Sequence, residues 1–201
     1  MTTPQKRDTL TQMKLINSID FNKTLFHGVM NLDPVPADAR YDFNPGFAFR
    51  RLRGILESGA ILSRAEQRAK LGREFTTASE GCFAGFDPNA NEANWISLAK
   101  NTTAGTNRRK SPRWYGYEMF VRDFLSIMVD GAVEEQLEKR TKYPLLIPPM
   151  RDEIQIANEI PKKYFTGLAL GKRFHIHADF VNQMQGELGY DLPLYDTAEI
   201  I

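Results

Sequence analysis

Glu153-Ile154-Gln155-Ile156-Ala157-Asn158-Glu159-Ile160-Pro161-Lys162-Lys163-Tyr164-Phe165 decides the fold class of this chain. Side chains alternate sides along a strand, so a strand over 153–157 sets Glu153 and Gln155 on one face and Ile154 and Ile156 on the other. One face is then a polar cleft side and the other a packed side. Pro144, Pro148 and Pro149 lie just upstream, and proline both removes a backbone donor and clashes inside a helix, so no helix leads into this strand. Ile160-Pro161 marks a turn, and the apolar run Phe165–Leu170 predicts the next strand.

Working outward, two more short β-prone runs lie upstream. A strand over Lys23–Val29 holds Leu25-Phe26-His27-Gly28, and one over 95–99 holds Trp95-Ile96-Ser97-Leu98. A His, a Ser and a Glu are therefore offered from three strands of one sheet system. Phe124–Val129 predicts a buried strand, and 133–142 a short charged helix or loop. Phe49, Leu52, Ile55 and Leu56 recur at helical spacing, which predicts a helix over 47–58 that Gly59 ends in the left-handed conformation. Its Arg50, Arg51 and Arg53 are assigned to the solvated face, with Arg51 the candidate to reach a phosphate. Ser63 and Glu66 form a capping box, starting a short basic helix that Gly72 closes. Val181, Met184 and Leu188 predict a terminal helix closed by Gly189, ahead of a tail over 190–201. Leu10, Met13 and Ile16 show a weak helical period, so residues 1–22 are an arm or first helix before a single domain over 23–201. Helices and strands do not alternate regularly, which favours an α+β fold over a doubly wound one.

Taken in order, His27-Gly28, the helix Leu52-x-x-Ile55-Leu56-x-x-Gly59, Ser97 and the Glu153-led strand resemble the ADP-ribosyltransferase superfamily. The run from Glu153 through Ile160-Pro161-x-x-Tyr164 is similar to the segment closing the site in its DNA-modifying toxins. The resemblance implies a split β-sandwich of short strands with flanking helices and NAD as co-substrate. It also implies transfer of ADP-ribose to a macromolecule, protein or nucleic acid, by a toxin or effector whose partner is an antitoxin or immunity protein. Such transfer breaks the bond between nicotinamide and ribose, and its nearest chemical analogue is glycoside hydrolysis, where a carboxylate faces the developing positive charge. Carried over by position, His27 hydrogen-bonds a ribose hydroxyl, and Gly28 lets the backbone approach the nicotinamide carboxamide. Ser97 takes the second-motif position, and Glu153 is the catalytic carboxylate. A His in the first motif is usually followed by Tyr in the second, so Ser97 mixes two subclasses.

Two further segments are assigned to binding. Residues 30–46, with Pro34, Pro36, Pro45 and Gly46, make a loop long enough to be functional, and its Tyr41 is a candidate NAD contact. Between Asn101 and Tyr117 no acidic residue occurs, while Arg108, Arg109 and Lys110 stand close to Trp114. Basic residues interleaved with aromatics match single-stranded nucleic acid, so these four and Gln155 are the candidate acceptor contacts. Two alternatives stay open: an inactive nucleic-acid-binding module on the same fold, and an RNA 2′-phosphotransferase-like enzyme. The latter also starts from His-Gly but carries a second His where Ser97 stands.

Composition narrows the rest. The 26 basic and 25 acidic residues nearly cancel, so any polyanion is met by a local patch rather than by a whole-molecule field. Cys82 is alone and has no neighbouring base, which fits a reducing compartment and an inert thiol. No apolar stretch approaches the roughly 20 residues of a membrane helix, and no signal-peptide core follows Lys6-Arg7. The expectation is a cytoplasmic protein without membrane contact, in the producing cell or in one it is delivered into. His175-x-His177, on what resembles a strand, has only Asp179 as a neighbouring carboxylate, so no metal is expected. Phosphate-loop, nucleophile-elbow and His-Glu-x-x-His motifs are absent from the sequence.

Overall fold

Every strand expected near 23–29, 95–99, 124–129, 153–157 and 165–170 forms, and all of them join one sheet. The computed structural model describes residues 13–15, 19–20, 23–29, 45–72, 94–99, 125–141 and 153–197. Its strands are β1 (Lys14–Leu15), β2 (Thr24–Gly28), β3 (Ala60–Leu62), β4 (Trp95–Ala99), β5 (Leu125–Asp130), β6 (Lys139–Thr141), β7 (Glu153–Ala157), β8 (Glu159–Pro161), β9 (Phe165–Leu170) and β10 (Leu194–Asp196). Its helices are α1 (Pro45–Ser58), α2 (Arg64–Leu71), α3 (Val133–Gln136) and α4 (Ala178–Glu187). The main sheet runs β1-β10-β9-β5-β2-β4-β7-β6, and β3 pairs β8 in a separate two-stranded sheet. Among the described strands only the β1–β10 and β10–β9 pairs are parallel, so the class is α+β.

Strand alternation sorts the core. Leu25, Leu98, Ile127, Val129, Ile154, Ile156 and Leu168 share one buried cluster with Leu52, Ile55 and Leu56 of α1 and Val181 and Met184 of α4. Phe26 and Met128 are also buried but stand in register with each other, out of step with that cluster, on the second face. α1 begins with Pro45, a residue whose fixed φ fits the first helical position. It is followed by Gly59 at φ 69°, as expected. The Ser63 N-cap of α2 forms, its hydroxyl accepting from the Glu66 amide at 3.3 Å, and Gly72 closes the helix at φ 64°; the reciprocal half of the capping box does not, because the Ser63 N–H donates to the Asn158 carbonyl at 2.7 Å. Ser63→Ala removes that acceptor and should cost about 1 kcal/mol, read as a lower urea midpoint at unchanged slope.

Several expectations are corrected. Glu159–Pro161 is not merely a turn: the chain bends at Asn158, at φ 60°, after β7, and β8 then pairs with β3. A short 3₁₀ turn at Lys162–Tyr164 leads into β9, with the Tyr164 hydroxyl donating to Gln136 at 2.8 Å. The tail folds back as β10 because Gly167 leaves room for it; a Cβ there would lie 2.8 Å from the Tyr195 ring and 3.0 Å from the Pro193 carbonyl. At residues 14–15 the chain is a sheet strand rather than a helix. The region 133–142 splits into α3 and the edge strand β6, whose charges are typical of a sheet edge. His175–His177 is a 3₁₀ turn entering α4, not a strand.

Candidate active site at a fork between two strands

β2, β4 and β7 are consecutive in the sheet, so His27, Ser97 and Glu153 do come from three neighbouring strands. The hydrogen-bond pattern around β2 is informative. Val29 donates to the Leu125 carbonyl at 2.9 Å, and Gly131 to the Lys23 carbonyl at 2.7 Å. Bonded pairs alternate in an antiparallel ladder, so odd-numbered residues of β2 bond to β5 and the even ones, Phe26 and Gly28, turn their N–H and C=O toward β4. Phe26 pairs there with Ala99, and no further β2–β4 pair follows among the described residues. β4 meanwhile stays in register with β7 along its full length, from Ala99 opposite Glu153 to Trp95 opposite Ala157. The sheet therefore forks at His27-Gly28, with Leu98 and Ser97 on the opposing prong. Gly28 brings to the gap a backbone donor and acceptor that the β5 ladder does not use.

On the helix side of the fork, His27 is 7% exposed and Arg51 is 8% exposed. Arg51 Nη2 lies 3.3 Å from His27 Nε2. A guanidinium has donors only, so Nε2 accepts, and in a neutral ring the proton then sits on Nδ1, leaving that nitrogen as a donor. Burial pushes the Arg51 pKa down to about 10. This corrects the solvated-face assignment for α1: Arg50 is exposed and Arg53 is paired with Glu187 at 2.8 Å, but Arg51 points inward. The sequence signal was the spacing itself. Arg51 falls between Ala48 and Ile55 at helical intervals of three and four, within the buried stripe.

The β7 side has its own polar unit. Gln155 is only 1% exposed, stands opposite Ser97 and Arg140, and accepts from Arg140 Nε at 2.7 Å. The Arg140 guanidinium stacks on Trp95 at 4.4 Å from the ring centroid. Gln155 is thus covered rather than lining an open polar side, and Arg140 is the residue that sequence reasoning missed. Its edge strand has too few apolar residues to be recognised from periodicity. His27 shares a face with Ile127 and Leu168, whereas Gln155 alternates with the core residues Ile154 and Ile156. The two are consequently on opposite faces of the sheet. Glu153 opens β7 opposite Ala99, level with the last β2–β4 pair.

Tyr41, Cys82, Arg108, Arg109, Lys110 and Trp114 lie outside the described residues. His175 Nδ1 is 2.9 Å from the Lys172 carbonyl, and the His177 ring meets Phe49 edge-on at 5.3 Å. Among the described residues no three His, Cys, Asp or Glu side chains gather as a metal site, and no helix is long and apolar enough to cross a membrane.

No protein-family model matches the chain, and no curated protein matches it. Among solved structures it is similar to Thermus sp. 2.9 DarT. With DarT in complex with NAD+, the TM-score is 0.43 at 9% identity, over 89% of this chain and 96% of that one. With DarT in complex with ADP-ribosylated ssDNA, it is 0.46 at 9% identity, over 92% and 97%. The carba-NAD+ complex gives 0.44 at 9% identity, over 87% and 95%.

Proposed function

We infer that this chain is an ADP-ribosyltransferase that uses NAD as co-substrate and modifies a macromolecular acceptor. The observation that carries the reading is the fork: β2 and β4 part at His27-Gly28, where the sequence pattern calls for a dinucleotide. The residues fit such a ligand. Gly28 offers an amide N–H and a carbonyl to a carboxamide, matching its acceptor and donors. His27, held by Arg51 through Nε2, takes the first-motif position beside the ribose. Ser97 stands across the gap, and Glu153 supplies the carboxylate for the reacting ribose.

The chemistry asks little more of the protein. As the C1′–N bond breaks, its electron pair leaves with nicotinamide, and the ribose gains positive charge that a fixed carboxylate stabilises. The acceptor nucleophile then bonds to C1′ and loses its proton.

Binding is the first test. A ligand that binds only the folded state stabilises it, by about 1.4 kcal/mol at ten times its Kd. For a chain of this size that raises Tm by about 3–5 °C. Wild type should show this rise with millimolar NAD, and His27→Ala should largely lose it. An unmoved wild-type Tm would count against the fork as a dinucleotide site.

A further inference from the structure

Gln155 is almost wholly buried in the middle of β7, so it has no open surface with which to meet an acceptor. An apolar side chain would pack there without the desolvation cost of an amide, so the amide is explained by what its two ends hold. One end is held by Arg140, whose Nε donates to Gln155 Oε1 at 2.7 Å. Arg140 is itself restrained, because its guanidinium stacks on the Trp95 ring. A guanidinium only donates, so the carbonyl end of the amide must face it and the NH2 end is turned away. Arg140 therefore fixes which way round Gln155 stands. The register gives the direction: Arg140 stands opposite Gln155, and Trp95 opposite Ala157, so their stack crosses β7 on the Ala157 side of Gln155. Glu153 lies to the other side, two residues earlier on the same face and about 6.6 Å along the strand.

We propose that Gln155 directs its amide N–H donors to the Glu153 carboxylate, and that Arg140 is the positioning residue that holds the amide in that orientation. This rests on the assignment of Glu153 as the catalytic carboxylate and adds its support to it. A carboxylate only accepts hydrogen bonds, and donors fixed in advance keep it ionised and aimed, with no reorganisation as charge develops on the ribose. The arrangement parallels Arg51 with His27 on the opposite face: in each, an arginine that can only donate sets the orientation of a partner with two unlike ends.

The test uses the full chain with NAD as probe, and reads Tm and nicotinamide release. Gln155→Glu keeps the size and still pairs with Arg140, but it has no donor and sets a like charge near Glu153. It should fold, keep the NAD-induced rise in Tm and the KM for NAD, and lose about tenfold or more in kcat. Arg140→Met, on the half-buried edge strand, should show the same split, and it tests the same point should the buried Gln155→Glu misfold. In the Glu153→Gln background neither substitution should lower the residual kcat further, because residues acting through one group are not additive. A purely structural role predicts the reverse, with Gln155→Glu active through its ion pair and Arg140→Met lowering Tm at unchanged kcat. If wild type releases nicotinamide and either folded variant matches its kcat, or the loss persists in full beside Glu153→Gln, this inference alone is overturned. If wild type releases no nicotinamide, the transferase reading fails and this inference with it.

Discussion

Glu153→Gln should yield a protein that folds, is still stabilised by NAD, and transfers ADP-ribose about 10²-fold more slowly or worse, as for other electrostatic stabilisers. A carboxylate beside the reacting ribose acts mainly when positive charge develops, so its loss falls on turnover rather than on ground-state binding. Glutamine keeps the shape and hydrogen-bonding capacity and removes only the charge. Glu159 is the control: it lies beyond Asn158, in β8, and pairs with Lys70 on the surface. Glu159→Gln should leave turnover unchanged and cost less than about 1 kcal/mol of stability, as exposed ion pairs usually do. Equal turnover in wild type and Glu153→Gln would move the chemical step to another residue.

Arg51→Met separates stability from function on the helix side of the fork. Desolvation holds the Arg51 pKa at about 10, below its usual value, so the unfolded chain binds this proton more tightly than the folded one. By linkage, the burden on stability is fully present below about pH 10 and is relieved as pH rises from there toward the ordinary guanidinium value. Methionine fills similar volume without charge. Its Tm should equal or exceed that of wild type at neutral pH, with the difference shrinking above about pH 10. NAD affinity should nevertheless fall about tenfold, because His27 Nε2 loses its donor and Nδ1 is no longer fixed as the protonated nitrogen. A large drop in Tm with unchanged NAD affinity would make Arg51 a structural residue.

The strands carrying His27, Ser97 and Glu153 were readable because each is a short apolar run broken by turn-forming residues, and the capping residues Ser63 and Gly72 are equally explicit. Periodicity fails where a strand is set by its neighbours rather than by its own pattern. β6 is Lys-Arg-Thr, and β10 owes its place to the room left by Gly167. The inward position of Arg51 follows from its helical spacing, but charge argued for solvent, and the intervals it shares with Ala48 and Ile55 prevailed. The fork was not accessible from sequence at all. It depends on where a ladder stops, which is a property of two strands together.

NAD labelled in its adenylate half, incubated with the protein and whole-cell lysate, tests the central claim most directly. The predicted result is release of nicotinamide together with label bound to macromolecules, both strongly reduced in Glu153→Gln, with nuclease or protease digestion identifying the acceptor class. Label that stays entirely in free NAD, with no nicotinamide released by wild type in lysates from several sources, would contradict it.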